Sequence, residues 1–144
     1  MLKSFNGTTN YILSKTINEK LSYELALKQA QEQGFAESDP TSDVEGYDPK
    51  FKAIILALHA FGLIIKPEEV LNIGITTLHE DDITYASEKG YKIKLTPVIR
   101  RLENNQVSVF VLPRFIKATN QLYNVDNEFN GVIVEGTFSG EQFL

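Results

Sequence analysis

The period of the apolar residues changes near Gly90, and that change limits the fold more than any other feature of the chain. Before it, apolar positions recur at helical spacing. After it they alternate, as in half-buried strands. In "SYELALKQAQEQG", Tyr23, Ala26, Leu27 and Ala30 follow i, i+3, i+4, i+7, with Ser22 suited to the N-cap and Gly34 to the stop. In "DPKFKAIILALHAFG" the pattern predicts a helix with Asp48 at the N-cap and Pro49 at the first helical position. Phe51, Ile54, Ile55 and Leu58 form its buried stripe, and Gly62 ends it. A third helix is predicted in "TLHEDDITYASEKG", where Thr77 and Glu80 stand at capping-box spacing and Gly90 stops the run.

Beyond Gly90, "YKIKLTPVIRRL" reads as a strand that Pro97 assigns to a sheet edge or a bulge. "ENNQ" turns the chain into "VSVFVLP", and "NGVIVEG" with "GEQFL" forms a further strand pair. Helices first and mostly antiparallel strands later give an α+β class, with helices packed on one face of a mostly antiparallel or mixed β-sheet. At 144 residues the expectation is a single domain, 1–144. Lys92, Lys94, Arg100 and Arg101 read as solvated strand faces, and His59 and His79 as structural.

Charge and composition exclude several functions. A net charge of −5 with a pI near 5.0 repels polyphosphate, and no stretch gathers basic residues, so nucleic acid is not an expected partner. With no cysteine there is no disulfide or thiolate chemistry, and two histidines do not supply a zinc site. The apolar runs are too short for a bilayer, and "MLKSFNGTTNYIL" lacks the features of a secretory signal. A cytoplasmic protein with no membrane partner is expected.

Chemistry concentrates in "GFAESDPTSDVEGYDPKFKAI", where Glu37, Asp39, Asp43, Glu45 and Asp48 precede Lys52. A calcium loop aligned on Gly46 fails, because its first position would be Thr41 and its twelfth, which requires glutamate, would be Lys52. Two readings stay open on spacing alone. In one, Asp48 caps a helix, Lys52 pairs with it at i, i+4, Asp43 and Glu45 are solvated, and Asp39 shapes a turn at Pro40. In the other, the acids hold a small zwitterion's ammonium while Lys52 exchanges a proton with an alcohol or carbonyl oxygen.

The ordered pattern of Gly34-Phe35, Glu37, Asp39-Pro40, Asp43, Gly46, and Asp48 four residues before Lys52 resembles the catalytic domain of homoserine dehydrogenase. "NGTTNYIL", "GIT" followed by "DDITYASEKGYKIKL", and the closing "NGVIVEG" with "GEQFL" extend the resemblance over most of the chain. It implies interconversion of L-homoserine and L-aspartate 4-semialdehyde with NAD(P)(H), on the branch to threonine, methionine and isoleucine. It further implies Lys52 as proton donor and acceptor, with Asp48 orienting it and the substrate. Glu37 and Asp43 would bind substrate, and Thr8 and Thr9 would open a helix whose N–H groups meet the substrate carboxylate. "FIKATNQLYNVDNEFN" departs from the His-Pro-Leu-Ala run of relatives.

Without G-x-G-x-x-G, the chain is expected to be a fragment lacking the family's Rossmann domain and holding no cofactor. It would pair into a homodimer through its sheet and be inactive alone; the alternative is a catalytically silent dimerisation or scaffold module.

Overall fold

The computed structural model describes residues 2–4 and 6–144, with side chains from residue 6 onward. Helices α1 (Gly7–Asn18), α2 (Tyr23–Glu32), α3 (Thr41–Val44), α4 (Tyr47–Phe61) and α5 (Glu80–Lys89) accompany six strands. The strands are β1 (Leu2–Ser4), β2 (Leu71–Asn72), β3 (Lys92–Arg101), β4 (Val107–Ile116), β5 (Gly131–Gly136) and β6 (Gly140–Phe143). Their order in the sheet is β2-β4-β3-β1-β5-β6, antiparallel except for the parallel β2–β4 pair. The α+β class holds, and the sheet is mixed. The period reading carries no sign of β1 or β2, which are too short to show alternation.

Successive side chains on a strand point to opposite faces. One face of the β3–β4 hairpin presents Ile93, Leu95 and Val111 to Tyr11, Ile12 and Leu13 of α1, Ala26 and Ala30 of α2, and Ala86 of α5. Further along, the same face presents Ile99 and Val109 to Ala53 and Ala57 of α4. The helices therefore share one face. Each fully buried Ile or Leu here contributes roughly 1.5–3 kcal/mol relative to exposure. On the opposite face Ile116 and Ile133 pack under Leu122 and Val125 of the segment that follows β4.

Pro97 is neither at an edge nor in a bulge. The β3–β4 register runs through Pro97–Val111 without a break, and β3 lies between β4 and β1. Among the described residues β3 is matched to β1 at Val98 with Leu2, and Pro97 is not one of the matched positions.

Three further expectations change. Helix α4 begins earlier than the Asp-Pro pair implied, because Gly46 adopts left-handed backbone (φ 80°) and its carbonyl accepts the Lys50 N–H at 3.2 Å. Asp48 and Pro49 thus sit inside the first turn, where a missing N–H has no intrahelical partner to lose. Its buried face is also different. Ala53 and Ala57 touch the sheet with Ile54 half-buried, while Phe51, Ile55 and Leu58 are 49%, 55% and 43% exposed. Small residues let the helix sit close to the sheet, while Phe51, Ile55 and Leu58 face outward.

The cap of α5 is His79, whose N–H donates to Asp82 Oδ2 at 3.0 Å. Thr77 instead donates its hydroxyl to the Gly74 carbonyl. His79 is structural, as expected; α2, with Ser22 as N-cap, and the β3–β4 and β5–β6 hairpins also follow the sequence reading.

Lys94 is not solvated. At 2% exposure its Nζ donates to Asn10 Oδ1 (2.7 Å), the Val125 carbonyl (2.6 Å) and Asp126 Oδ1 (3.1 Å). Asp126 also accepts from Lys92, so both lysines pin the segment that covers this face of the sheet. Burial pushes Lys94 below the usual lysine range, against the pull of Asp126. Arg100 and Arg101 are exposed as read.

Candidate active site

The site forms where α1 begins, between α3 and the start of α4. Asn6 is the N-cap of α1, its Oδ1 accepting the Thr9 N–H at 2.8 Å. Its Nδ2 donates to Asp43 Oδ1 at 2.5 Å and to Asp48 Oδ2 at 2.9 Å. Lys52 Nζ reaches the same Asp48 oxygen at 2.7 Å, one helical turn on. Two carboxylates, an amide and an ammonium thus converge from elements distant in sequence.

Asp48 is 28% exposed and Lys52 48% exposed at the side chain, so the pair is open to a ligand from solvent. Asp43 comes from α3, a single turn that Asp39 helps to start. Asp39 Oδ1 accepts the Thr41 hydroxyl at 2.6 Å and the Thr41 N–H at 3.1 Å around Pro40, which is the turn role read for it. Those bonds from Thr41 hold the Asp39 carboxyl below its ordinary range.

Thr8 donates its hydroxyl to the Phe35 carbonyl at 2.5 Å, tying α1 to the loop that carries Glu37. Gln31 secures that loop from the other side, donating to the Glu37 carbonyl at 3.0 Å. The Glu37 carboxylate itself is exposed and touches none of Asp43, Asp48 or Lys52 through a hydrogen bond or ion pair. Thr9 is buried, with its N–H and hydroxyl both directed to Asn6. Within the first turn of α1, the backbone N–H groups of Gly7 and Thr8 have no intrahelical acceptor.

Two site residues are absent from the sequence reading. Asn6 lies in the quoted "NGTT", but its contacts span 37 and 42 residues, which no local pattern shows. Lys50 is buried and donates to Asn72 Oδ1 at 3.0 Å; Asn72 in turn donates to the Glu45 carbonyl. It braces α3 and α4 against β2.

Asp43 and Asp48 place negative charge beside this helix start, which disfavours a multiply charged pyrophosphate there more than a zwitterion whose ammonium the acids can meet. Among the described residues no group of His, Cys, Asp or Glu is placed to hold a metal, and no helix is long and apolar enough to cross a membrane.

Fold and site together define an α+β fold bearing a lysine–carboxylate pair next to a capped helix start. The family model of homoserine dehydrogenase matches residues 2–144, and the chain belongs to the homoserine dehydrogenase family. It is 43% identical over 141 residues to homoserine dehydrogenase of Bacillus subtilis (strain 168), covering 98% of this chain and 32% of that protein. The Lactococcus lactis (strain IL1403) enzyme is 36% identical over 144 residues, with 100% and 33% covered. Among solved structures, S. aureus homoserine dehydrogenase at pH 7.0 superposes with a TM-score of 0.94 at 39% identity, over 99% of this chain and 36% of that one. The chain spans about a third of the length of the curated relatives it matches.

Proposed function

We propose that residues 1–144 form one domain, the substrate-binding and dimerisation part of a homoserine dehydrogenase interconverting L-homoserine and L-aspartate 4-semialdehyde. The observation that carries this reading is the Asp48–Lys52 pair, joined through Asn6 to Asp43, in a chain so similar to homoserine dehydrogenases. Glu37, Asp43 and Asp48 supply negative charge that replaces the hydration of the substrate ammonium. The first-turn N–H groups of Gly7 and Thr8 are the donors assigned to the substrate carboxylate, and Thr9 supports them by closing the cap.

Lys52 handles the proton. As an ammonium it hydrogen-bonds the aldehyde oxygen and gives up a proton as that oxygen becomes a hydroxyl; in the reverse direction the neutral amine takes the hydroxyl proton. Asp48 holds the Lys52 Nζ in place for both. NAD(P)(H) accepts or supplies the hydride when bound, and its phosphates are held outside this chain, on a nucleotide-binding domain. The 144 residues alone therefore bind substrate without turning it over.

The protein is assigned to the cytoplasm and to the pathway toward threonine, methionine and isoleucine. A second copy of the chain is the proposed partner, meeting the sheet face that carries Val98, Phe110 and Leu112, which are only half-buried here. Exposed Phe51, Ile55 and Leu58 favour a second reading, a silent scaffold whose surfaces serve assembly alone. The complete protein separates the two. L-homoserine-dependent reduction of NAD(P), abolished by Lys52→Ala, supports the enzyme; no turnover by the complete wild-type protein leaves the scaffold. Sedimentation of this chain as a monomer at micromolar concentration would contradict the dimer.

A further inference from the structure

We infer that Asn6 is a positioning residue that clamps Asp43 and Asp48 into a single site. The inference rests on the substrate-site reading above and gives Asn6, which joins the acids in that reading, a role of its own.

The amide orientation follows from chemistry. Turned over, Asn6 would point a carbonyl oxygen at two carboxylates and an NH2 group at the Thr9 N–H, so only one orientation is compatible with its neighbours. In that orientation both amide hydrogens lie on carboxylates and the oxygen lies on the α1 cap. The residue is 4% exposed, so water does not readily take over these bonds.

Asp43 and Asp48 touch the same nitrogen from different elements, α3 and α4. Two carboxylates so close repel unless donors stand between them. Lys52 approaches Asp48 Oδ2, while Asn6 donates to the Asp43 carboxylate. The clamp therefore does what the lysine's bond to Asp48 does not. It holds the second acid beside the first, and it fixes both relative to the first turn of α1, where the substrate carboxylate is to be received.

The test separates the clamp from the cap. Asn6→Ser keeps a capping oxygen and Asn6→Asp keeps both cap and shape, but neither retains an amide donor. In this chain both variants should stay folded by circular dichroism and bind L-homoserine roughly tenfold to a hundredfold more weakly in calorimetry, the scale of hydrogen bonds to charged groups. The effect of Asn6→Ser should shrink in an Asp43→Asn background, because the repulsion it exposes is gone; a residue that only caps α1 would show no loss in Asn6→Ser and no coupling to Asp43.

A readout without ligand is the Asn6 side-chain amide signal in 1H–15N spectra, which should move in both Asp43→Asn and Asp48→Asn. If it moves in both but wild type does not bind L-homoserine, the clamp stands and the substrate reading falls. Wild-type affinity in folded Asn6→Ser and Asn6→Asp, or an amide signal indifferent to either acid, overturns the clamp.

Discussion

Lys52 Nζ lies 2.7 Å from Asp48 Oδ2, one turn apart on the outer side of α4 and open to solvent. An exposed i, i+4 pair contributes only about 0.3–0.5 kcal/mol to stability. Its place beside Asn6 and Asp43 is what gives it significance, because the same carboxylate that holds the lysine is held in turn by the cap of α1.

Replacing Lys52 by alanine in the complete protein should lower kcat and kcat/KM together by about two orders of magnitude or more, the scale of lost general acid–base catalysis. Thermal stability should barely change, since the pair is exposed. Lys52→Arg should not restore turnover, because a guanidinium does not give up its proton near neutral pH. Steady-state rates with L-homoserine and NAD(P) check both; wild-type rates in Lys52→Ala would remove the lysine from the chemistry.

Asp126→Asn should destabilise the fold by about 1–3 kcal/mol, because Lys94 is buried and keeps only the Asn10 and Val125 oxygens as full partners. Burial pushes the Asp126 carboxyl up, but the hydrogen bond from Lys92 and the charge of Lys94 more than offset it, so its pKa lies below the ordinary value. The sign follows. This carboxylate's contribution is fully present above its unfolded pKa, about 3.9, and is lost as pH falls through the lower folded value. Urea denaturation from neutral to acid pH should show a shallower acid loss in Asp126→Asn than in wild type.

Gly74→Ala tests the support of α3. A Cβ there would lie 2.2 Å from the Val44 carbonyl oxygen and 2.4 Å from Glu45 Cα, both backbone atoms that do not swing aside. Relief requires α3, and with it Asp43, to move away from residue 74. A loss of about 1–3 kcal/mol is expected, as for other overpacked sites. Weakened L-homoserine affinity should accompany it, read by denaturation and calorimetry on the same variant.

The helix and hairpin periods made most of the fold legible, because α2, α5 and β4 are regular elements with one face more buried than the other, and β3 alternates apolar residues along its helix-covered face. Period tells which face is apolar and not what covers it. Hence Phe51, Ile55 and Leu58 read as core on α4, although Ala53 and Ala57 are what meet the sheet. Lys94 read as solvent-facing for the matching reason, since the segment of Val125 and Asp126 that encloses it arrives 31 and 32 residues later. In the site, the 34–54 run was visible because its residues are consecutive. Asn6 and Lys50 act on partners from other elements, and only the folded chain brings those together.

The central claim is that these carboxylates and Lys52 form a homoserine site already built within the 144 residues. Calorimetric titration of L-homoserine into this chain, with Glu37→Ala and Asp48→Ala beside it, tests this most directly. Saturable binding in wild type, weakened at least tenfold in each variant, is the expected result. Absence of binding in wild type, or equal affinity in all three proteins, would contradict it.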